Sequence, residues 1–282
     1  MPSAFSPSAR GDFLQMISRP DDELDLAVAA LLIAKEEYPD LDVDSYRGRL
    51  DDLAAAAAPR VAACRDNSFA AIDALNTCLF VEQRFRGNQE EYFDPRNSYL
   101  NEVLERRRGI PITLSLIYME VSARVGFPVE GVGFPGHFLV RHVSAGREIL
   151  IDPFHAGEIL MPEDCRKLLK ASYGLDADLD ARFFRAAGKK QILVRMLQNL
   201  KGIHLKKEDF ARALSDLDRL RALDPAAAEH LRDRGLAHMR LGNLASARSD
   251  LEAYLRAAPH IPDEAAVRKQ VRAIGRLTAM LN

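Results

Sequence analysis

The spacing of apolar residues predicts helices through roughly the first ninety positions of the chain. Behind Asp21 and Asp22, which can cap a helix, apolar residues recur every three or four positions, as on the buried face of a helix. A second helix is expected to begin near Asp44, and Asn67 can cap a third helix that Gly87 ends. This part of the chain is therefore predicted to be helical.

Between residues 93 and 162 the pattern changes to short apolar runs with the composition of strands. Helices are expected over 97–107 and 111–125, followed by strands over 129–134, 137–143 and 148–151. The turn Ser144-Ala145-Gly146 would join the last two strands into a hairpin. Helices followed by an antiparallel meander are typical of an α+β unit.

From about residue 189 the chain is again predicted to be helical, and here the sequence repeats itself after 34 residues. The matched pairs are His204 with His238, Ala213 with Ala247, Ser215 with Ser249 and Pro225 with Pro259. A period of this length, with small residues where helices cross and a closing proline, resembles the tetratricopeptide repeat. Residues 263–281 are expected to form a capping helix that covers the last apolar face.

Composition narrows the class of protein without identifying a ligand. The chain has 282 residues, of which 48% are hydrophobic and 28% charged, and this balance is typical of a soluble globular protein. Its net charge of -2 gives no overall basic field, so we do not expect nucleic-acid binding. No apolar stretch reaches the roughly 18 residues of a membrane span. The first ten residues lack a secretory signal, and the three cysteines lack paired spacing, so a cytoplasmic location is expected.

Residues 106–125 carry the first feature that suggests chemistry. Gly109 and Pro111 bracket a helix start, and helix N-termini concentrate free N–H donors and positive potential. Further on, His137 begins one predicted strand and Asp152 ends the next. The two residues are almost equidistant from the hairpin turn, so we expect them to lie close together. A His–Asp pair in front of a helix N-terminus is two thirds of a nucleophile–His–Asp arrangement.

The segment NSYLNEVLERRRGIPITLSLIYMEVSARVGFPVEGVGFPGHFLVRH and the later ILIDPF resemble the transglutaminase-like superfamily. More narrowly, the chain resembles the bacterial SirB-type proteins, which join a transglutaminase-like core to tetratricopeptide repeats. The resemblance implies a helical N-terminal region, a cysteine-protease-like α+β core and an all-α array of repeat hairpins. In active superfamily members it implies a Cys–His–Asp triad, in which Gly109 matches the glycine of the Gly-x-Cys motif, His137 the histidine and Asp152 the aspartate.

The cysteine of that triad is missing from this chain. Its position falls on Pro111, or on Ile112 if the alignment is shifted by one residue, and neither side chain is a nucleophile. Ser115 lies one turn further along the same helix face as Pro111, whereas Thr113 lies on another face. Either hydroxyl could replace the thiol only with its base in hydrogen-bond reach. We expect Gly109, Pro111 and Ser115 to line the site.

Other candidate residues have structural interpretations that compete with functional ones. Cys64 and Cys78 fall on predicted N-terminal helices and are expected in the core, which leaves Cys165 as the cysteine that could approach the site. His137 and Asp152 are most simply a structural histidine whose ring is satisfied by a carboxylate, although a remnant catalytic pair stays open.

A metal site would need His142 or His155 beside the His–Asp pair. His137 and His142 are five residues apart, so they face opposite sides of a regular strand, and no recognisable ligand spacing is present. We therefore expect no metal and no other cofactor. The arginines at 106–108 and the basic residues between 189 and 207 are expected to be solvated helix surfaces.

Two domains are expected, with the helical region and transglutaminase-like core in residues 1–182 and the repeats in residues 183–282. Repeat solenoids present extended binding surfaces, so the favoured interpretation is a non-catalytic interaction or scaffold protein that docks a protein partner. The alternative is a hydrolase or acyltransferase that combines a displaced nucleophile with the His–Asp pair. A DNA- or RNA-binding regulator has only the arginine cluster in its favour.

Overall fold

The computed structural model describes residues 7–64, 66–144, 146–174, 178–257 and 262–281. The chain divides into two compact units, Met1–Leu193 and Val194–Asn282. Ala145 of the expected hairpin turn and Pro259 of the second repeat lie outside the described residues. None of the helices within these ranges combines the length and the apolar character that a membrane crossing requires.

Helices form most of the first unit, as the apolar spacing predicts. Their bounds are α1 Pro7–Ile17, α2 Leu26–Glu37, α3 Val43–Ala63, α4 Ser68–Asn76, α5 Leu100–Arg106, α6 Pro111–Arg124 and α7 Pro162–Tyr173. Asn67 caps α4 as expected, because its side chain accepts hydrogen bonds from the backbone N–H groups of Phe69 and Ala70. A π-helical segment, Thr77–Glu82, then extends α4.

Two features that were expected to begin or end helices have other roles in the fold. Asp25, rather than Asp21 or Asp22, caps α2. The carboxylate of Asp21 instead accepts hydrogen bonds of 2.8 Å from the backbone N–H groups of Lys189 and Lys190, where α8 begins. Gly87 does not end a helix but lies in strand β1, Arg86–Gly87, which pairs in parallel with β2, Arg108–Gly109. Local spacing cannot reveal either long-range pairing.

A four-stranded antiparallel sheet carries the middle of the first unit. Its order is β3–β4–β5–β6, with β3 Glu130–Val132, β4 Leu139–Ser144, β5 Arg147–Asp152 and β6 Glu158–Leu160. β4 and β5 form the expected hairpin, in the register that pairs Val140 with Ile151. His137 lies two residues before β4 rather than on it, because its N–H bonds to the carbonyl of Phe134 in a tight turn. The meander is therefore confirmed, with β6 as an additional strand.

The sheet is covered on its two sides by helices. On one side, apolar residues of the sheet and of α7 form a common cluster, Val132, Phe134, Leu139, Leu160, Cys165 and Leu169. Helix α6 packs against β3, β4 and the short 3-10 turn Pro153–His155 that follows β5. Buried apolar surface of this kind supplies most of the driving force for folding. The same packing holds α6 next to the end of β5.

The second unit is built from helical hairpins. Helix α8, Lys189–Lys206, contains the boundary between the units and is followed by α9 Phe210–Leu223, α10 Glu229–Arg240, α11 Leu244–Ala257 and α12 Glu264–Leu281. Small residues mark the close helix crossings, since a Cβ at Gly235 would lie 2.7 Å from Leu251 and Ala247 is fully buried. Val267 and Ile274 of α12 cover the apolar face of α11, which is the role expected of a capping helix. The fold is therefore the expected α+β core followed by a repeat array.

Candidate functional site

Asp152 is the centre of the candidate site and lies at the point where β5 ends. Its backbone carbonyl accepts a hydrogen bond of 2.8 Å from Gly157, and its Oδ1 accepts one of 3.0 Å from the backbone N–H of Phe154. The side chain is completely buried. These bonds fix the carboxylate so that the second oxygen, Oδ2, is turned toward two imidazole rings.

His137 is the first of these rings, and its Nε2 lies 2.8 Å from Oδ2 of Asp152. The turn that carries it depends on Gly136, which has a positive φ of 68° and packs directly against Ser172 of α7. The His137 ring also contacts Phe154 edge to face. The hairpin therefore brings together the two residues that the sequence places at equal distances from its turn.

His155 is the second ring, and the sequence analysis did not assign it to Asp152. Its Nδ1 lies 2.7 Å from the same Oδ2 atom, and its ring stacks on that of His137 at a centroid distance of 5.9 Å. Asp152 caps the Pro153–His155 turn, and this cap folds the residue three positions later back onto the carboxylate. The Asp-Pro-x-His spacing after a predicted strand was the signal that could have found it.

The two imidazoles dominate the electrostatics of the buried carboxylate. Burial alone raises the pKa of Asp152, but the hydrogen bonds to His137 and His155 outweigh burial and lower the pKa from 3.8 to about 2. The hydrogen bond to Asp152 in turn raises the pKa of His155 above its ordinary value. Asp152 is thus a carboxylate at neutral pH, although water does not reach it.

The start of α6 is the element that would carry the nucleophile. Pro111 occupies its first turn and is buried, and Gly109 precedes it where a Cβ would lie 2.8 Å from Oγ1 of Thr113. The Thr113 hydroxyl accepts a hydrogen bond from the backbone N–H of Ile110 and donates to the carbonyl of Asn97, 2.8 Å away. Thr113 is therefore a capping residue of α6, with its hydroxyl fully buried.

The Ser115 hydroxyl is also engaged in a structural contact. Its Oγ lies 3.3 Å from the backbone carbonyl of Phe138, to which it donates, and the residue has no exposed surface. This contact ties α6 to the residue that precedes β4. Neither of the two hydroxyls considered as replacements is hydrogen-bonded to His137 in the contacts that the structure gives for Thr113 and Ser115.

Two of the three cysteines, Cys78 and Cys165, are buried thiols with raised pKa values. Cys165 is fully buried in the apolar cluster between the sheet and α7, and burial raises the pKa of its thiol. Burial likewise raises the pKa of Cys78, whose Sγ faces the carbonyl of Leu53. Cys64 ends α3. Thiols held protonated in apolar surroundings are poor nucleophiles, so Cys165 does not fill the role left open for it.

His142 lies away from the candidate site, as expected from its spacing to His137. Its Nε2 is 3.2 Å from the Ser68 hydroxyl, its Nδ1 is 3.1 Å from the carbonyl of Pro128, and its ring stacks on Phe127. The ligand atoms of His137, Asp152 and His155, by contrast, all lie within 4.8 Å of one another. This set could hold a metal ion, and the spacing of His137 and His142, on which the expectation of no metal depends, does not bear on it.

The three arginines before α6 each make a different contact. Arg106 pairs with Asp94 at 3.5 Å, and the Arg107 guanidinium lies 4.5 Å from the centre of the Phe85 ring. Arg108 lines a cleft of about 400 Å³, together with Arg86, Gly87, Asn88, Gln89 and Glu90. Gly87 lines this cleft and packs against Phe154, so that a Cβ added to Gly87 would lie 2.7 Å from the Phe154 ring. A cleft therefore borders the turn that carries His155.

Comparison with known proteins agrees with this architecture. The transglutaminase-like superfamily matches residues 44–198, and the tetratricopeptide repeat matches residues 200–272. A UPF0162 protein of Xylella fastidiosa is 40% identical over 244 residues, covering 85% of this chain and 86% of its own length. A UPF0162 protein of Vibrio cholerae is 29% identical over 90% of this chain and 93% of its own.

Another relative matches only part of the chain. F-box only protein 21 of Homo sapiens is 34% identical over 137 residues, which is 46% of this chain and 21% of that protein. No solved structure matches the chain significantly. The chain belongs to the transglutaminase-like superfamily and, within it, to the UPF0162 or SirB-type proteins that join this core to tetratricopeptide repeats.

Proposed function

We propose that this chain is a protein-interaction protein, in which a non-catalytic transglutaminase-like core serves as a scaffold and the repeat unit docks a protein partner. Its domain composition supports an interaction role, because tetratricopeptide repeats commonly present binding surfaces. The chemistry of the core and the surface of the repeats support the two parts of this proposal separately.

The occupied start of α6 is the observation that carries the non-catalytic part. Acyl transfer by a His–Asp pair needs a hydroxyl or thiol whose proton the histidine can take. Pro111 stands at the position of the family's thiol, and the hydroxyls of Thr113 and Ser115 are buried and bonded to backbone carbonyls. Recruiting either hydroxyl would break a buried hydrogen bond and leave a carbonyl unpaired, at a cost of about 1–3 kcal/mol. The contacts of these two hydroxyls therefore count against the displaced-nucleophile alternative, although its His–Asp pair is present.

Ion pairs between helices hold the repeat unit together, and most of their side chains are shielded from solvent. Lys201 of α8 pairs with Asp233 of α10 at 2.8 Å, and Arg234 of α10 pairs with both Asp218 of α9 and Asp250 of α11. An array that is ordered before a partner binds loses less conformational entropy on binding, which favours docking of a protein to these repeats.

The docking role is tested by capturing partners with full-length protein that carries charge reversals on matched exposed arginines. Arg240→Glu with Arg248→Glu changes the repeat unit, and Arg166→Glu on α7 is the control, since all three side chains are slightly more than half exposed. We expect mass spectrometry to show a partner that the repeat variant loses and the control retains. A partner retained by both, or lost equally from both, would contradict docking by the repeats.

The non-catalytic role is tested by comparing the wild-type protein with His137→Ala on a panel of acyl and amide substrates. We expect the same background rate from both proteins, because the hydroxyls of Thr113 and Ser115 are bonded to backbone carbonyls rather than to this ring. A rate that falls with His137→Ala while the protein remains folded would overturn the proposal and restore the catalytic alternative.

A further inference from the structure

We propose that His137, Asp152 and His155 form a binding site for one divalent transition-metal ion, with Zn²⁺ as the best-suited cation. The site would take Nε2 of His137, Oδ2 of Asp152 and Nδ1 of His155 as its protein ligands. This proposal is independent of the interaction role, since a scaffold and an enzyme can each carry a bound ion. It rests on the donor set, on the rigidity of its support and on its access to solvent.

The donor atoms converge on one point of the structure. Both ring nitrogens lie within hydrogen-bond distance of a single carboxylate oxygen, at 2.8 and 2.7 Å, and all three donors lie within 4.8 Å of one another. Donors about 2.0–2.2 Å from a tetrahedral ion stand roughly 3.4 Å apart. Binding therefore requires the two rings to draw together and each to move about half an ångström away from the oxygen.

His155 is the ligand that can make this adjustment. Its side chain is 40% exposed, whereas that of His137 is 9% exposed and Asp152 is fully buried. Its share of the adjustment is then a small rotation of a ring at the surface, and only the shift of about half an ångström at His137 affects the core. Solvent on the same side can supply the fourth ligand, as in zinc sites with three protein ligands and one water.

Hydrogen bonds and close packing fix the backbone around the three ligands. Oδ1 of Asp152 is held by the N–H of Phe154, which leaves Oδ2 for the ion. Asn76 donates to the carbonyl of Gly157 at 2.8 Å and packs so closely on Gly157 that a Cβ there would collide with it. Hydrogen bonds that orient the ligands in this way are typical of the outer shell of metal sites.

The choice of metal follows from the donors. Two imidazole nitrogens and one carboxylate oxygen suit Zn²⁺ and its neighbours in the first transition row, whereas Mg²⁺ and Ca²⁺ prefer all-oxygen sites. Within the ranges that the structure describes, no second group of three His, Cys, Asp or Glu side chains brings its donor atoms this close. His142 is committed to Ser68 and Pro128 and is not available as a fourth ligand.

The site is tested by calorimetric titration of the full-length protein with Zn²⁺ after treatment with a chelator and dialysis. We expect one ion per chain for the wild-type protein and an affinity at least tenfold lower for His155→Ala, since loss of even an outer-shell partner costs about 10–100-fold. His155 is exposed, so this variant should fold. His238→Ala is the matched control, because that ring lies in the repeat unit and contacts Asn243; it should bind like the wild type.

A second variant separates a built site from binding by scattered surface histidines. His137→Gln removes the buried ligand and should weaken Zn²⁺ binding at least as much as His155→Ala, with circular dichroism confirming the fold. Equal affinity and stoichiometry in the wild-type protein and both variants would overturn the proposal. An absence of Zn²⁺ binding by the wild-type protein at micromolar concentrations would overturn it too.

Discussion

Each unit of this protein contains a buried histidine hydrogen-bonded to an aspartate, and the two pairs differ in what surrounds them. In the repeat unit, Nδ1 of His204 lies 2.7 Å from Oδ2 of Asp216, and the other carboxylate oxygen accepts a hydrogen bond of 2.7 Å from Arg219. All three side chains are at most 4% exposed. In the core, the corresponding third partner is a second imidazole that faces solvent.

The comparison shows that the His–Asp contact says little about catalysis by itself. Both pairs have nearly the same distance, 2.8 Å in the core and 2.7 Å in the repeats. Arg219 and Asp216 both lie on α9, and the contact of Asp216 with His204 connects this buried ion pair to α8. The core pair is reachable through His155. Access and a nearby nucleophile, rather than the pair, distinguish a reactive site from a structural one.

Asp216→Ala is expected to have the largest effect of the changes that test this comparison. It leaves Arg219 buried without its carboxylate, and removing one partner of a buried ion pair costs about 3–5 kcal/mol. Urea unfolding followed by circular dichroism measures the loss of unfolding free energy. Asp218→Ala is the control on the same helix, since Asp218 is 45% exposed and its pair with Arg234 contributes about 1 kcal/mol or less. Equal losses would show that the buried network does not stabilise the repeats.

Lowering the pH is expected to have an intermediate effect on the free energy of unfolding, through protonation of Asp152. Its pKa is lowered from 3.8 to about 2 in the folded protein, so the carboxylate stabilises the fold fully above pH 4 and loses this contribution as the pH falls toward 2. The shift corresponds to about 2 kcal/mol. Unfolding free energies of metal-free wild type and Asp152→Asn should therefore differ by a constant amount between about pH 4 and pH 6, where His155 stays protonated, and converge below pH 4. A difference that stays constant down to pH 2 would contradict the depressed pKa.

Pro111→Cys is expected to change the free energy of unfolding least. It tests directly whether the His137–Asp152 pair can still activate a nucleophile at the start of α6. A thiol in the first turn of α6 would meet the positive end of the helix, which lowers a thiol pKa and speeds alkylation. We expect iodoacetamide to modify it at least tenfold faster than Ser115→Cys, because both positions are buried and only Pro111 lies at the N-terminus of the helix. If His137→Ala slows the reaction of the Pro111→Cys thiol, the core pair can still activate a nucleophile. Equal rates at both positions would show that the helix start has lost this property.

Much of this architecture could be predicted from local patterns. The repeat was visible because each hairpin must place a small residue at the same helix crossing, so Ala213 of the first copy recurs as Ala247 of the second, and both are fully buried. The proximity of His137 and Asp152 followed from counting residues back from a turn, which works because a hairpin has a fixed register. These features depend on neighbours along the chain.

The failures of sequence reasoning concern contacts between distant parts of the chain. Asp21 looked like the cap of the next helix, yet it caps the first turn of α8, which lies 168 residues away. Gly87 looked like a helix terminator, yet it pairs with Gly109 in a parallel ladder that borders a cleft. A cap or a glycine carries the same local signal wherever its partner lies, so only packing identifies the partner.

The sequence by itself determined the family and the order of the two units, and it predicts that the family's cysteine is replaced at Pro111 or Ile112, because these features depend on residue identity and spacing. Only the tertiary structure decided what the remaining polar groups do. It tied the Thr113 and Ser115 hydroxyls to backbone carbonyls, and it turned His155 onto the carboxylate that His137 already shares. The physical reason is that hydrogen bonds and metal ligation depend on distances of a few ångströms, which chain spacing does not fix.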